Sequence, residues 1–194
     1  MNTTVDRLTL DRYLDYNDGT DTRYELFDGA LVAMAQPKGR HGAIAEFLND
    51  EFRAEIRRLG REWTSKQMAI ALQSPRGGRW DTARIPDIMV LPLDQWRSMR
   101  DKQAIVRLND PPPILVVEIV SESTLSTDYR AKRVEYNVLE IPEYWVVDPI
   151  NAKVTIFQLV DQLYEPREFT DNATAKSTIF PELQLDVTQI LNAE

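Results

Sequence analysis

Two carboxylates give the first pointer to chemistry. Asp87 lies in Ile85-Pro86-Asp87-Ile88-Met89-Val90, and Glu118 in Leu115-Val116-Val117-Glu118-Ile119-Val120. Each is the lone charge in an apolar, strand-forming run. An unpaired buried carboxylate is strongly destabilising, so each must be protonated, paired or bound to a cation. On neighbouring strands, the two would converge on one hard divalent cation. Magnesium suits such a site, taking oxygen ligands at roughly 2.0–2.1 Å and keeping several waters. The competing reading is a carboxylate that reaches the sheet edge and meets an arginine.

A cation is also needed to position an attacking water and offset developing charge. Val120, two residues beyond Glu118 on the same strand face, cannot supply it. The nearest candidate is Lys132, on the helix that follows. Asp128, Lys132 and Tyr136 are spaced by four and share one helix face, which also fits a plain exposed Asp128–Lys132 pair. His41, the sole histidine, opens a helix; it could bind metal or phosphate or shuttle a proton, or serve as a surface residue or cap. Glu25 alternates with apolar neighbours in Tyr24-Glu25-Leu26-Phe27 and could face solvent.

Other chemistries are excluded. There is no Gly-rich phosphate loop, no Gly-x-Ser-x-Gly elbow and no His-Glu-x-x-His helix. Without cysteine, and with one histidine, disulfides, a cysteine nucleophile and an ordinary zinc site all fall away.

These residues need a scaffold, and 194 residues at 43% apolar content suffice for one domain, 1–194, with a sizeable core. The polar N-terminus and the lack of a long apolar run predict a soluble, cytoplasmic protein without a membrane span. Apolar periodicity predicts a helix from Leu8 to Tyr16 and a hairpin from Tyr24 to Met34 about Asp28-Gly29. A helix from Arg40 to Leu59 follows, with Ile44, Phe47, Leu48, Phe52 and Ile56 as its stripe and Gly60 as its cap. Strands are predicted at Glu62–Leu72, Ile85–Leu91 and Ile114–Val120. Between them lie a loop from Ser74 to Trp80 and an irregular stretch from Pro92 to Pro113, with a short helix near Asp94–Lys102. A helix at Asp128–Leu139, strands at Glu143–Asp148 and Val154–Leu159, and a helical turn at Val187–Leu191 complete the chain. Helix, three strands, helix, strand over about 40–148 make an α/β (α+β) core: a mixed central sheet flanked by helices, with an N-terminal hairpin and extra C-terminal strands. Phe157, Leu159, Leu163 and Tyr164 either form a homodimer face or complete the core.

Charge bears on the partner. The net −8 argues against a general nucleic-acid coat. Yet residues 1–37 carry 3 basic and 7 acidic side chains, residues 38–100 carry 12 and 8, and residues 101–194 carry 8 and 16. The basic middle could face a polyanion or simply be solvated.

Taken in order, Tyr24-Glu25-Leu26-Phe27-Asp28-Gly29, His41, the Asp87 and Glu118 runs, Asp128 with Lys132 and Tyr136, and Glu143-Tyr144-Trp145-Val146-Val147-Asp148-Pro149 resemble the Uma-type restriction endonucleases. That family, once classed as a domain of unknown function, lies within the PD-(D/E)XK nuclease superfamily, and the resemblance spans roughly residues 8–191. It implies a restriction-endonuclease-like core and metal-dependent hydrolysis of phosphodiester bonds in nucleic acid, with DNA the expected substrate. Asp87 and Glu118 become ligands of Mg2+, for which Mn2+ can substitute. The superfamily's lysine position is Val120 here, a departure that points to Lys132 as the catalytic lysine. His41 and Glu25 become accessory ligands or proton-transfer groups, and Arg76, Arg79 and Arg84 candidates to grip the backbone. The alternatives are a non-catalytic nucleic-acid-binding or protein-interaction module on the same fold, or a hydrolase of small phosphate esters.

Overall fold

The computed structural model describes residues 7–75 and 81–194. Arg76 and Arg79 therefore lie outside the described residues. The chain enters through α1 (Leu10–Leu14), shorter than expected, with the Thr9 hydroxyl accepting the Arg12 N–H as its N-cap. The hairpin of β1 (Tyr24–Phe27) and β2 (Ala30–Ala33) turns at Asp28-Gly29, both at positive φ as a tight hairpin turn requires. The long helix α2 (Gly39–Arg58) buries Ile44, Leu48, Phe52 and Ile56, and the chain leaves it through Gly60 at φ +59°.

The strand expected at Glu62–Leu72 is two strands, β3 (Trp63–Gln67) and β4 (Ala71–Gln73). Met68 separates them at φ 45°, its N–H donating to the Asp87 carbonyl at 3.0 Å. That turn sends β3 and β4 into different sheets. Next come β5 (Ala83–Arg84), β6 (Ile88–Pro92), α3 (Leu93–Ser98), β7 (Ile105–Val106) and β8 (Leu115–Ile119). Asp87 thus stands immediately before its strand rather than within it. The helix expected at Asp128–Leu139 begins as a wide π-helical stretch, Thr127–Lys132, and continues as α4 (Arg133–Val138). Then follow β9 (Glu143–Asp148), the hairpin of β10 (Lys153–Val160) and β11 (Leu163–Thr170), and α5 (Val187–Leu191).

Two mixed sheets result. The larger has the order β11-β10-β9-β8-β6-β3; β3, β6 and β8 run antiparallel, and the π-helical stretch with α4 crosses over to the parallel strand β9. The smaller, β2-β1-β5-β4-β7, absorbs the N-terminal hairpin. Alternate residues of β8 split the core. Leu115, Val117 and Ile119 face α2 and α5, whereas Val116 and Val120 pack with Tyr136 and Tyr144 on the other side. Phe157 and Tyr164 are buried in this second core and Leu159 packs partly against it, leaving Leu163 alone exposed among the four residues considered for a dimer face.

Candidate active site

Strands β6 and β8 pair with Ile88 opposite Val117, so Asp87, one residue earlier, sits beside Glu118 and Ile119 at the strand end. Asp87 Oδ2 accepts the Ile119 N–H at 2.7 Å, and Oδ1 lies 2.9 Å from His41 Nε2 in the first turn of α2. Glu118 shares its strand face with Val116 and Val120, the face covered by the crossover helix. Lys132 reaches down from that helix to place Nζ 2.7 Å from Glu118 Oε2 and 3.0 Å from Asp128 Oδ1. Tyr136, one turn further on, donates its hydroxyl to Glu118 Oε1 at 2.6 Å. A π-helical stretch bonds i to i+5 and is wider than an α-turn, a geometry frequent at functional sites. Here it aims Asp128 and Lys132 inward together. The Tyr144 hydroxyl donates to the Asp128 carbonyl at 2.9 Å and ties the stretch to β9.

The cluster is buried, with Glu118 3% and Asp128 1% exposed. Burial raises the Glu118 carboxyl above its ordinary value of 4.5; Lys132 opposes this, and the charges of Asp87 and Asp128 add to it. Asp128 is raised for the same first reason, with Lys132 again opposing. Burial acts against the Lys132 ammonium, but Glu118 and Asp128 outweigh it, so its pKa is raised and it stays charged. For His41, burial is likewise overcome by the hydrogen bond and charge of Asp87, raising it above 6.5. Tyr136 is raised well above 10 by burial and by Glu118, and remains a donor.

The other expected site residues are arranged differently. Glu25 accepts the Ile85 N–H at 3.0 Å and Arg84 Nη1 at 3.2 Å, so it neither faces solvent nor bonds to Asp87, Glu118 or Lys132. Its charge still helps hold the Lys132 proton. Arg84 cannot grip a substrate backbone as expected. It is buried, with Nε and Nη2 each 2.9 Å from the carboxylate oxygens of Glu135 on α4. Sequence reasoning marks Asp128 and Tyr136 by their spacing with Lys132 and their place in the family resemblance, but gives neither a role. It gives no signal for Glu135, whose neighbour in space is distant along the chain.

The donors fit a magnesium-type cation. Asp87, Glu118 and Asp128 bring three carboxyl groups together with Lys132 and His41 in one buried cluster of oxygen donors. Among the described residues, no three His, Asp or Glu side chains form a ready-made metal cage. Magnesium does not need one, since it is commonly held by one or two carboxylates with waters and substrate phosphate.

Two mixed sheets flanked by helices bring Asp87 and Glu118 to adjoining strand ends, an architecture of the restriction-endonuclease-like class. A crystal structure from Anabaena variabilis described as "a putative nuclease belonging to DUF820" is similar to this chain, with a TM-score of 0.74 at 19% identity over 95% of this chain and 97% of that one. The family model "Uma2: Putative restriction endonuclease" matches residues 10–188. The chain belongs to that family. No curated protein matches it. Among the described residues no helix is long and apolar enough to cross a membrane.

Proposed function

We propose that this chain is a magnesium-dependent endonuclease that hydrolyses phosphodiester bonds in DNA. The observation that carries the reading is the meeting of Lys132 with Glu118, 2.7 Å apart, on the strand that adjoins Asp87. Asp87 and Glu118 would hold the cation, and Mn2+ would substitute. When bound, the cation supplies Lewis-acid activation of water and offsets phosphate charge. Lys132 orients the attacking water and stabilises the charge that develops on the phosphate oxygens. Tyr136 fixes Glu118 through its hydroxyl, and the Ile119 N–H and His41 fix Asp87. His41, the most exposed of these groups, is suited to exchange protons with solvent. A cleavage panel over DNA and RNA with Mg2+ and Mn2+ tests the reading. Asp87→Ala and Glu118→Ala should abolish cleavage, and undiminished cutting by both would sink it.

One observation favours the alternative of a non-catalytic nucleic-acid-binding or protein-interaction module. Every carboxylate oxygen of Asp87 and Glu118 already has a protein donor within 2.9 Å. Calorimetry separates the two readings: Mg2+ or Mn2+ binding that disappears in Asp87→Asn favours the enzyme, and no metal binding favours the module.

A further inference from the structure

Two equally buried carboxylates in this fold are served very differently. Glu143 on β9 takes four donors at 2.6–2.7 Å: Trp145 Nε1, the Ser177 hydroxyl, and the N–H and hydroxyl of Thr178. Asp128 takes no aligned hydrogen bond on either side-chain oxygen among the described residues. Its ion-pair partner there is Lys132, 3.0 Å away, and Lys132 makes its shorter contact, 2.7 Å, with Glu118. A buried carboxylate short of donors is destabilising. Packing that supplies Glu143 in full leaves Asp128 with the Lys132 ammonium and the nearby Thr124 hydroxyl, both favouring its ionised form, and with accepting capacity to spare.

If Glu118 is a metal ligand, Lys132 and a divalent cation compete for the same oxygen. Two positive charges cannot approach it closely together in a buried, weakly screened site. We infer that Lys132 is a resident counter-ion of Glu118 that a divalent cation displaces, and that Asp128 is the positioning residue that receives the displaced ammonium and keeps it beside the site. This rests on the reading of Glu118 as a metal ligand. Both carboxylates already touch the ammonium, so the exchange needs only side-chain movement. Without Asp128, Lys132 either stays on Glu118 and excludes the cation, or leaves and no longer orients water.

Calorimetric titration with Mn2+ tests this on the full chain as wild type, Asp128→Asn, Lys132→Met and the double variant. Lys132→Met should bind Mn2+ about tenfold more tightly, and Asp128→Asn about tenfold more weakly. In the Lys132→Met background the Asp128→Asn effect should shrink to about twofold, because the coupling passes through the lysine. Equal weakening in both backgrounds would make Asp128 a through-space charge and overturn the inference, as would a Lys132→Met protein that binds no more tightly. If a variant fails to fold, the structure of the wild-type chain with Mn2+ decides. Lys132 moved from Glu118 onto Asp128 supports the inference; Lys132 still on Glu118 with the cation bound overturns it and leaves the metal reading standing. A wild-type chain that binds no Mn2+ overturns both.

Discussion

Tyr136 holds one oxygen of Glu118 and Lys132 the other, so each can be removed while the strand beneath is left intact. Tyr136→Phe deletes only the 2.6 Å hydroxyl donor and keeps the ring packed edge-on against Tyr144, with centroids 5.0 Å apart. If Glu118 is a metal ligand, loss of an outer hydrogen bond that orients it should lower metal affinity or cleavage rate by about 10–100-fold, and the unsatisfied buried oxygen should cost about 1–3 kcal/mol of stability. Wild-type rates in Tyr136→Phe would show that Glu118 needs no such support. Lys132→Met removes the charge itself and should cost about 10²–10³ in rate, the usual effect of deleting one group that stabilises transition-state charge. Single-turnover kinetics at saturating Mn2+ separate that loss from any change in metal binding.

At the scale of elements, the site is the seam between the two sheets and the crossover helix. Arg84 on β5 bonds two-pronged to Glu135 on α4 and singly to Glu25 on β1, so one buried guanidinium holds three elements together. The same short stretch leads directly into Asp87, while Glu135 adjoins Tyr136. Arg84→Met removes the buried guanidinium that both carboxylates share and should cost about 3–5 kcal/mol in urea denaturation. Adding Glu135→Leu should recover part of that loss; a single variant as stable as wild type would mean the clamp is idle. None of this is readable in the sequence, where Arg84 looks like one more base in a basic segment and its partner lies 51 residues on. The rest is legible wherever a run carries its own period or composition. Ile44, Leu48, Phe52 and Ile56 mark α2, the apolar run of β8 marks a strand buried on both faces, and the lone charges mark Asp87 and Glu118. Of the smaller sheet only the Tyr24–Met34 hairpin is legible; β5 and β7, two residues each, carry too little pattern. The break at Met68 is hidden because a tertiary hydrogen bond to Asp87 fixes it. Spacing alone leaves Lys132 as a possible surface pair; the family resemblance, and then the 2.7 Å contact, bring it to Glu118.

For the whole molecule, part of the acidic surplus behind the net −8 lies inside: Asp87, Glu118 and Asp128 are buried together, beside other buried carboxylates such as Glu135 and Glu143 that have their own partners. Bound cations would offset some of that charge at the point where phosphate must approach. The same surplus sets how stability depends on pH. Glu118 and Asp128 bind protons more tightly in the folded chain than their ordinary values of 4.5 and 3.8, and His41 more tightly than 6.5. Folding therefore takes up protons, and stability falls as pH rises through this range. The carboxylates begin the decline above their ordinary values, and the His41 contribution, complete below 6.5, is lost as pH passes through its raised folded value. Lys132, raised from 10.5, stays charged throughout and adds no slope. Without divalent metal, the thermal midpoint should fall between about pH 5 and pH 8, by about 2–4 °C for each kcal/mol lost in a chain of this size. Glu118→Gln should flatten the decline. If Asp87 and Glu118 hold magnesium, saturating Mg2+ should raise the midpoint most at the alkaline end, where the native carboxylates are ionised and open to the cation. A metal-free midpoint that climbs between pH 5 and 8 would mean that these buried groups do not govern the fold's response to pH.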